Sequence, residues 1–428
     1  MHVAEPDRMV RESLVFLQKL LVEHKPCNFD IQFWDGTIWH AEPCMPATFT
    51  LVLKHPGALR RMFWPPNQLT IGEAFIYDDF DIKGDILDAF KLGETLLNLR
   101  WGLVEKMHYG RHLLSLPSGD GSSPAQRRAV LDGALHSSQR DRQAVTYHYN
   151  ISNDFYRIWL DERMVYSCGY FVSSEEDLDQ AQKRKLDYIC RKLRLKAGER
   201  FLDIGCGWGS LVAHAAKNYG VKALGVTLSR PQAELATERI RRAGLEDRCR
   251  VEVCDYREVD GEGRFDKLAS VGMFEHVGTS QLDEYFERAW RLLRPGGVFL
   301  NHGIASSLSD PFPAGPSFID RYVFPDGELL PISTTIRSAE QSGFEVRDLE
   351  SLREHYALTL RHWLRRLEGA YDVVLRVVDE ITYRIWRLYM AGSAYNFDHG
   401  RLNVYQALLV KTSRGRSMLP LTRTDWYA

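Results

Sequence analysis

Along this chain the period of the apolar positions changes twice. Residues 11–23 repeat apolar side chains at helical spacing, and the runs FDIQFWDGTIWHAEP, TFTLVLK and FDIKGDI then alternate as short strands do. Asp35-Gly36, set between two alternating runs, predicts a hairpin turn. A leucine-rich helix is expected over 87–103. From Ala197 the runs ERFLDIG, VKALGVTL, RVEVCD, DKLASVGM and GGVFLNHG are short and apolar, and helical stretches such as SLVAHAAKNYG, RPQAELATERIRRAG and LDEYFERAWRLLR separate them. Strands linked by helical crossovers predict a mainly parallel sheet covered on both faces. The late runs FEVRDLES and RLNVYQALLVKTS add two candidate strands, and the helical stretch 356–395 between them has room to cap the sheet's ligand edge.

The segment LPSGDGSSPAQRRAVLDGALHSSQR, Leu116 to Arg140, has the Gly, Ser and Pro content of a linker. The expected organisation is a smaller N-terminal α+β domain over 1–116, a linker over 117–144 and a larger α/β domain over 145–428. A chain of 428 residues fits two such domains. Its 55 Lys and Arg against 57 Asp and Glu leave a net charge of −2, which excludes a globally basic, nucleic-acid-binding protein. No uncharged apolar run approaches the roughly 18 residues needed to span a bilayer, and the charged start MHVAEPDRMVRESLVF does not read as a signal peptide. A cytoplasmic protein is expected. The seven cysteines are scattered without a CxxC pair, so neither a disulfide framework nor a zinc site is indicated.

Chemistry concentrates at the strand ends of the second domain. At the first strand, Asp203-Ile204-Gly205-Cys206-Gly207-Trp208-Gly209 leads into a helix at Ser210. Glycines there permit a tight turn with close backbone approach to a ligand, and Asp203 is placed to receive a cationic amine. That combination suits a nucleotide bearing an amino acid better than a pyrophosphate. The second strand ends without the acidic residue that binds ribose in many dinucleotide sites, which leaves Thr227 and Gln232 as hydrogen-bonding substitutes. After the third strand, Asp255 and Tyr256 either flank an adenine or start a polar helix with Asp255 as its N-cap.

Taken together, DIGCGWGS, GVTLSRPQ, CDYRE and SVGMFEHVG resemble the cyclopropane-fatty-acid synthase family, which includes the mycolic acid cyclopropane synthases. HYNISNDFY, MVYSCGYF, FLNHGIAS and HYALTLRHW extend the resemblance in order from about Val145 to Arg414. The resemblance implies a Rossmann-like class I methyltransferase domain that uses S-adenosylmethionine (SAM) to add a methylene across a cis double bond of a phospholipid acyl chain. It implies SAM contacts at Tyr166, Ser167, Gly205, Gly207, Thr227, Leu228, Gln232, Asp255, Tyr256 and Arg257, with Asp203 beside them. It also implies a bicarbonate site at Cys168, Glu275, His302, the backbone of Ile304, and Tyr356. Apart from these motifs, Cys168 reads as a small buried apolar residue, His302 and Tyr356 as core residues, and Glu275-His276 as a surface turn. Ser393 stands where the family often has cysteine, a departure that bears on the product more than on SAM use.

Methylating an isolated alkene leaves a carbocation, so the site is expected to be dry and aromatic. Losing a proton from the added methyl closes the ring; quenching the cation otherwise gives a methylene or methyl-branched chain. A lipid- or SAM-binding protein without catalysis is the remaining alternative. The expected partners are the unsaturated lipid, a membrane surface reached peripherally, and a second copy in a homodimer. Basic stretches at Gln182–Arg200 and Arg361–Leu367 are either membrane-docking surfaces or solvated helix faces. The N-terminal domain is expected to contact lipid or to dimerise.

Overall fold

A computed structural model describes residues 7–21, 28–42, 45–97, 103–118, 131–149, 151–310 and 317–427. The chain divides into two compact units. One comprises Met1–Arg128, Ala314–Val323 and Asp379–Tyr395; the other comprises Ala129–Pro313, Phe324–Val378 and Asn396–Ala428.

The first unit carries strands β1 (Phe29–Gln32), β2 (Ile38–His40), β3 (Phe49–Leu53) and β4 (Phe80–Gly84), in the spatial order β2-β1-β3-β4. β1 and β2 form the hairpin expected around Asp35-Gly36, with Gln32 opposite Ile38 and Gly36 at φ +89°. β1 runs parallel to β3, which runs antiparallel to β4. Helices Arg8–Leu21, Gln68–Ile76 and Ile86–Leu97 belong to the same unit.

Two later segments join this unit, for reasons visible in their side chains. Arg384 donates to the Phe75 carbonyl at 3.0 Å and to Asp78 at 2.8 Å, and Arg387 donates to the Ile82 carbonyl at 3.0 Å. The Tyr322 hydroxyl donates to Glu73 at 2.8 Å. The expected boundaries therefore change. Of the insertion placed at 356–395, the helix Arg353–Gly369 stays with the second unit, while Glu380–Asp398 packs with the first as far as Tyr395, Ser393 included. The expected linker also shortens. Its last residues form the helix Ser138–Tyr149 of the second unit, and residues 119–130 lie outside the described residues.

The second unit is built on a seven-stranded sheet, β5 (Arg200–Ile204), β6 (Lys222–Thr227), β7 (Cys249–Val253), β8 (Phe265–Val271), β9 (Leu293–Ser306), β10 (Glu345–Ser351) and β11 (Leu402–Val410). Its order is β10-β11-β9-β8-β5-β6-β7; β5 to β9 run parallel, and β11 pairs antiparallel with both β9 and β10. All five central strands and both late ones fall where the apolar runs place them.

Side chains alternate across this sheet with the strand period of two. Phe201, Ala223, Ala269, Val298, Leu300, Leu408 and Val410 face one apolar core, with Leu186, Ile189, Leu211 and Val212 from the helices Leu178–Leu193 and Ser210–Tyr219. Leu202, Ile204, Leu224, Val226, Leu268, Phe299 and Leu409 face a second core, with Tyr285, Phe286 and Ala289 from the helix Leu282–Leu292. By the same alternation Asp203 follows Phe201, toward the helix Leu178–Leu193. Chain order reverses between β8 and β6 across β5, so the loops leaving the carboxyl ends of β5 and β8 flank the crevice where ligands bind in open α/β sheets.

Both basic stretches singled out in the sequence are partly spent on contacts within the unit, while Lys183, Lys196, Arg200 and Arg365 are exposed. Trp363 is fully buried, Arg361 pairs with Asp398, and Arg366 pairs with Asp179 at 2.5 Å. In the other stretch Lys185 and Lys192 are buried, Arg184 pairs with Glu176, and Arg194 pairs with Asp425. Among the described residues no helix is long and apolar enough to cross a membrane.

Candidate active site

The turn after β5 is shaped by its glycines. Gly205 sits at φ +78° and Gly207 at +54°. The amides of Gly205 and Cys206 both donate to the Val226 carbonyl, at 2.9 and 3.0 Å, which folds the turn onto the end of β6. A Cβ at Gly205 would lie 2.6 Å from that of Met273 in the loop after β8, whereas a Cβ at Gly207 would meet nothing within 4 Å. The first glycine is required by packing; the second keeps a space open.

Two adjoining cavities share Gly205, Gly207, Gln232 and Gly272. Thr227, Leu228, Asp255, Tyr256 and Arg257 line one of them, together with Asp141, Met273 and His276. Tyr166, Ser167 and Asp203 line the other, together with Lys185 and Trp208. Every residue proposed from the sequence to hold a cofactor thus borders one or both of these cavities around the glycine turn.

Hydrogen bonds aim several of these groups. The Thr227 hydroxyl donates to Gln232 Oε1 at 3.0 Å, so the Gln232 amide nitrogen remains as a donor toward the cavity. Asp255 is 1% exposed, accepts from the Arg257 amide at 3.0 Å and from its guanidinium at 2.7 and 2.9 Å, and caps the short helix Tyr256–Glu258. Arg257 also binds Asp141 at 2.9 Å. Of the two alternatives for Asp255 the N-cap is observed, and the residue also borders the cavity with its charge already compensated. Asp203 differs, being 2% exposed with Oδ1 lacking any hydrogen-bond partner. Burial pushes its carboxyl up to about 7 despite the Lys185 charge nearby.

Four of the five residues of the expected anion site, Glu275, Ile304, Cys168 and Tyr356, are linked through one train of contacts. Glu275 lies on the short helix Phe274–His276 after β8, and Oε1 accepts from the Ile304 amide at 2.7 Å. Ile304 faces Val404 across β9 and β11, and the Val404 carbonyl accepts from the Leu352 amide at 2.8 Å. The Leu352 carbonyl lies 3.7 Å from the Cys168 thiol, and the Tyr356 amide donates to the Leu352 carbonyl at 3.0 Å. Tyr356 packs its ring against Phe397 and Trp363, at centroid distances of 4.7 and 6.0 Å.

Two polar atoms of this group have no partner: Glu275 Oε2 and His302 Nε2. Gln406 Nε2 lies 3.1 Å from His302 Nδ1 and can only donate, which puts the imidazole hydrogen on Nε2 and makes that atom a donor. Burial holds His302 down at about 3 and raises Glu275 to about 7. An unpaired donor and an unpaired acceptor, both buried, are the two kinds of group that a small oxyanion carrying one hydrogen would need. Two expectations shift. The Ile304 amide is occupied by Glu275, so it holds that carboxylate. The Cys168 thiol, pushed far up by burial, points to the carbonyls of Gly169 and Leu352, so of the two Cys168 groups expected to donate, the thiol is already spent.

Aromatic rings stand beside the cavities. Tyr166 lies 5.2 Å from Trp363 and 5.4 Å from Trp159, centroid to centroid, and Tyr156 lies 4.9 Å from Trp208. Gln406, Lys185 and Gln182, whose amide holds the Ser167 carbonyl at 2.8 Å, were missed by sequence reasoning. Only the strand register places Gln406 opposite His302. Nothing in a basic helix marks Lys185 as buried.

Residues 136–407 match the family model described as mycolic acid cyclopropane synthetase. The chain belongs to that family. A probable fatty acid methyltransferase of Pseudomonas putida is 40% identical over 401 residues, 93% of this chain and 95% of its own. The cyclopropane-fatty-acyl-phospholipid synthase of Escherichia coli K12 is 37% identical over 281 residues, 66% of this chain and 70% of its own. The crystal structure of the mycolic acid cyclopropane synthase CmaA1 complexed with SAH and CTAB superposes with a TM-score of 0.59 at 32% identity, covering 63% of this chain and 97% of that one. The second unit thus has the fold of the family's class I SAM-dependent methyltransferases, and the resemblance drawn from the motifs is borne out.

Proposed function

We propose that this protein transfers a one-carbon unit from SAM to the cis double bond of an unsaturated acyl chain, in a phospholipid, and closes it to a cyclopropane. SAM supplies the electrophilic methyl, and bicarbonate supplies an oxygen that accepts a proton. The observation that carries the reading is the buried pair of unpaired atoms, Glu275 Oε2 and His302 Nε2, on the strand edge that also bears the glycine turn.

Each group has a separable task. Gly205 and Gly207 let the backbone approach the cofactor, Asp203 takes its amine, and Thr227, Leu228, Gln232 and the Asp255-Tyr256-Arg257 segment border its nucleoside. His302 donates to the anion, the Cys168 backbone and Tyr356 add donors, and Glu275 takes up a proton. The rings of Tyr166, Trp363 and Tyr356 exclude water and present π faces to positive charge on the substrate.

A second reading, transfer without ring closure to leave a methylene or methyl branch, is favoured by the relative named a fatty acid methyltransferase, which matches nearly the full chain. Purified protein incubated with SAM and vesicles of a monounsaturated phospholipid, followed by mass spectrometry and NMR of the fatty esters, tests both. Cyclopropane methylene protons upfield of the alkyl envelope support the first reading. Vinylidene protons, or a methyl doublet, establish the second. Absence of any product across a range of unsaturated chains leaves neither standing.

A further inference from the structure

Lys185 sits on the helix Leu178–Leu193 and is 1% exposed. Its ammonium donates to the Ser167 hydroxyl oxygen at 2.7 Å. Among the described residues Ser167 is its hydrogen-bond partner, and no carboxylate comes within ion-pair distance. An ammonium has three hydrogens to give, so two remain unspent in a dry interior, where an uncompensated charge is costly. Burial accordingly pulls Lys185 down to about 8, with Cys168, Asp161 and Asp203 acting against it.

Lys185 also lines the same cavity as Ser167 and Asp203. That cavity thus holds one cation with unspent hydrogens and one carboxylate with an unpartnered oxygen. The two are near enough for each to affect the other's titration, yet they do not pair. The Ser167 hydroxyl that Lys185 holds is directional. Because Lys185 can only donate, Ser167 Oγ accepts, and the hydroxyl's own hydrogen must point elsewhere.

We infer that Lys185 is a cofactor-binding residue: its ammonium and the Ser167 hydroxyl seat the carboxylate of the cofactor's amino-acid end, while Asp203 takes the amine. A zwitterion completes both half-satisfied groups at once, and neither charge alone does. Gln182 supports the arrangement one turn earlier on the same helix, by holding the Val165 and Ser167 carbonyls. The inference rests on the SAM reading above and adds the group that recognises the amino-acid carboxylate.

The test compares three ligands by calorimetry: S-adenosylhomocysteine, its decarboxylated analogue, which keeps the amine, and methylthioadenosine, which lacks both groups. The wild type is expected to prefer S-adenosylhomocysteine over the decarboxylated form by about tenfold or more, as for a charge-assisted hydrogen bond. Lys185→Met is expected to reduce that preference to within about twofold, through weaker S-adenosylhomocysteine binding, with methylthioadenosine binding unchanged. A preserved preference in the variant, or equal weakening of all three ligands, overturns the assignment. If Lys185→Met does not fold, Ser167→Ala replaces it with the same expectation. In the wild type the preference is also expected to decline above about pH 8, where Lys185 deprotonates; a flat profile overturns the inference. Failure of the wild type to bind S-adenosylhomocysteine at all overturns the SAM reading itself, a distinct result.

Discussion

The Ile304 amide binds one oxygen of Glu275 at 2.7 Å and leaves the other, buried, without a partner. One oxygen anchors the carboxylate, and the second is available for a proton. Glu275→Gln keeps an anchoring oxygen and the shape of the side chain but cannot take up that proton. Turnover should fall by at least about a hundredfold, with S-adenosylhomocysteine affinity unchanged. Full activity in this variant would sink the assigned role.

The same carboxyl sets an acid limb. Burial raises Glu275 to about 7, and only its ionised form accepts a proton. Turnover at saturating substrate should therefore hold above about pH 7 and decline about tenfold per unit below it. His302, held near 3 by burial, stays neutral throughout and adds no limb in this range. A turnover profile level from pH 5 to 8 would exclude Glu275 as the proton acceptor.

Gln406 fixes the His302 tautomer from the neighbouring strand, at 3.1 Å. Gln406→Leu removes the donor that keeps Nδ1 unprotonated, and the hydrogen can then move off Nε2. Turnover should drop by about 10–100-fold while cofactor affinity holds, as when other second-layer partners of a histidine are removed. Steady-state kinetics paired with S-adenosylhomocysteine titration will show whether the two quantities separate.

The two turn glycines should respond differently to alanine. At Gly205 the added Cβ meets Met273 at 2.6 Å, so Gly205→Ala should lower the melting temperature markedly. At Gly207 the added methyl enters open space and costs about 1–2 kcal/mol for its left-handed backbone, yet it occupies ground proposed for the cofactor. Gly207→Ala should therefore lose S-adenosylhomocysteine affinity out of proportion to its stability. Melting curves and titrations of the two variants check the contrast.

Asp203 gives the affinity for S-adenosylhomocysteine an acid limb of its own. Its carboxyl, pushed up to about 7, must be ionised to receive an amine, so affinity should weaken as pH falls below 7. Asp203→Asn should bind more weakly at pH 8 and lose this dependence. Persistence of the limb in the variant would place its origin elsewhere.

What the sequence shows well is what backbone sterics and burial fix locally. Parallel strands buried on both faces read as short apolar runs, and the glycines after β5 are needed at positive φ, so the sheet and turn were legible. The helix Ser138–Tyr149 was not, because its composition is as polar as a linker's. Its charges are consumed by distant partners, Arg140 by Asp326 and Asp141 by Arg257. Lys185 and Gln406 were illegible for the same reason: burial of a lysine and pairing across a strand register are decided by tertiary structure. The partners of the basic stretches were illegible too, since one-dimensional charge density does not reveal the carboxylates, Glu176, Asp179 and Asp398 among them, that pair with it.

The first unit closes around a helix that arrives late in the chain, with Arg384 and Arg387 inserted among groups from Phe75 to Ile82. A truncation that begins at residue 129 would remove Asp78, Asp81 and the Ile82 carbonyl, leaving Arg384 its pair with Glu380 and taking the Asp81 and Ile82 contacts from Arg387. Shortening this enzyme is thus not one cut but a cut plus a redesigned surface, with both arginines replaced before loss of activity in a trimmed chain can be charged to the missing unit.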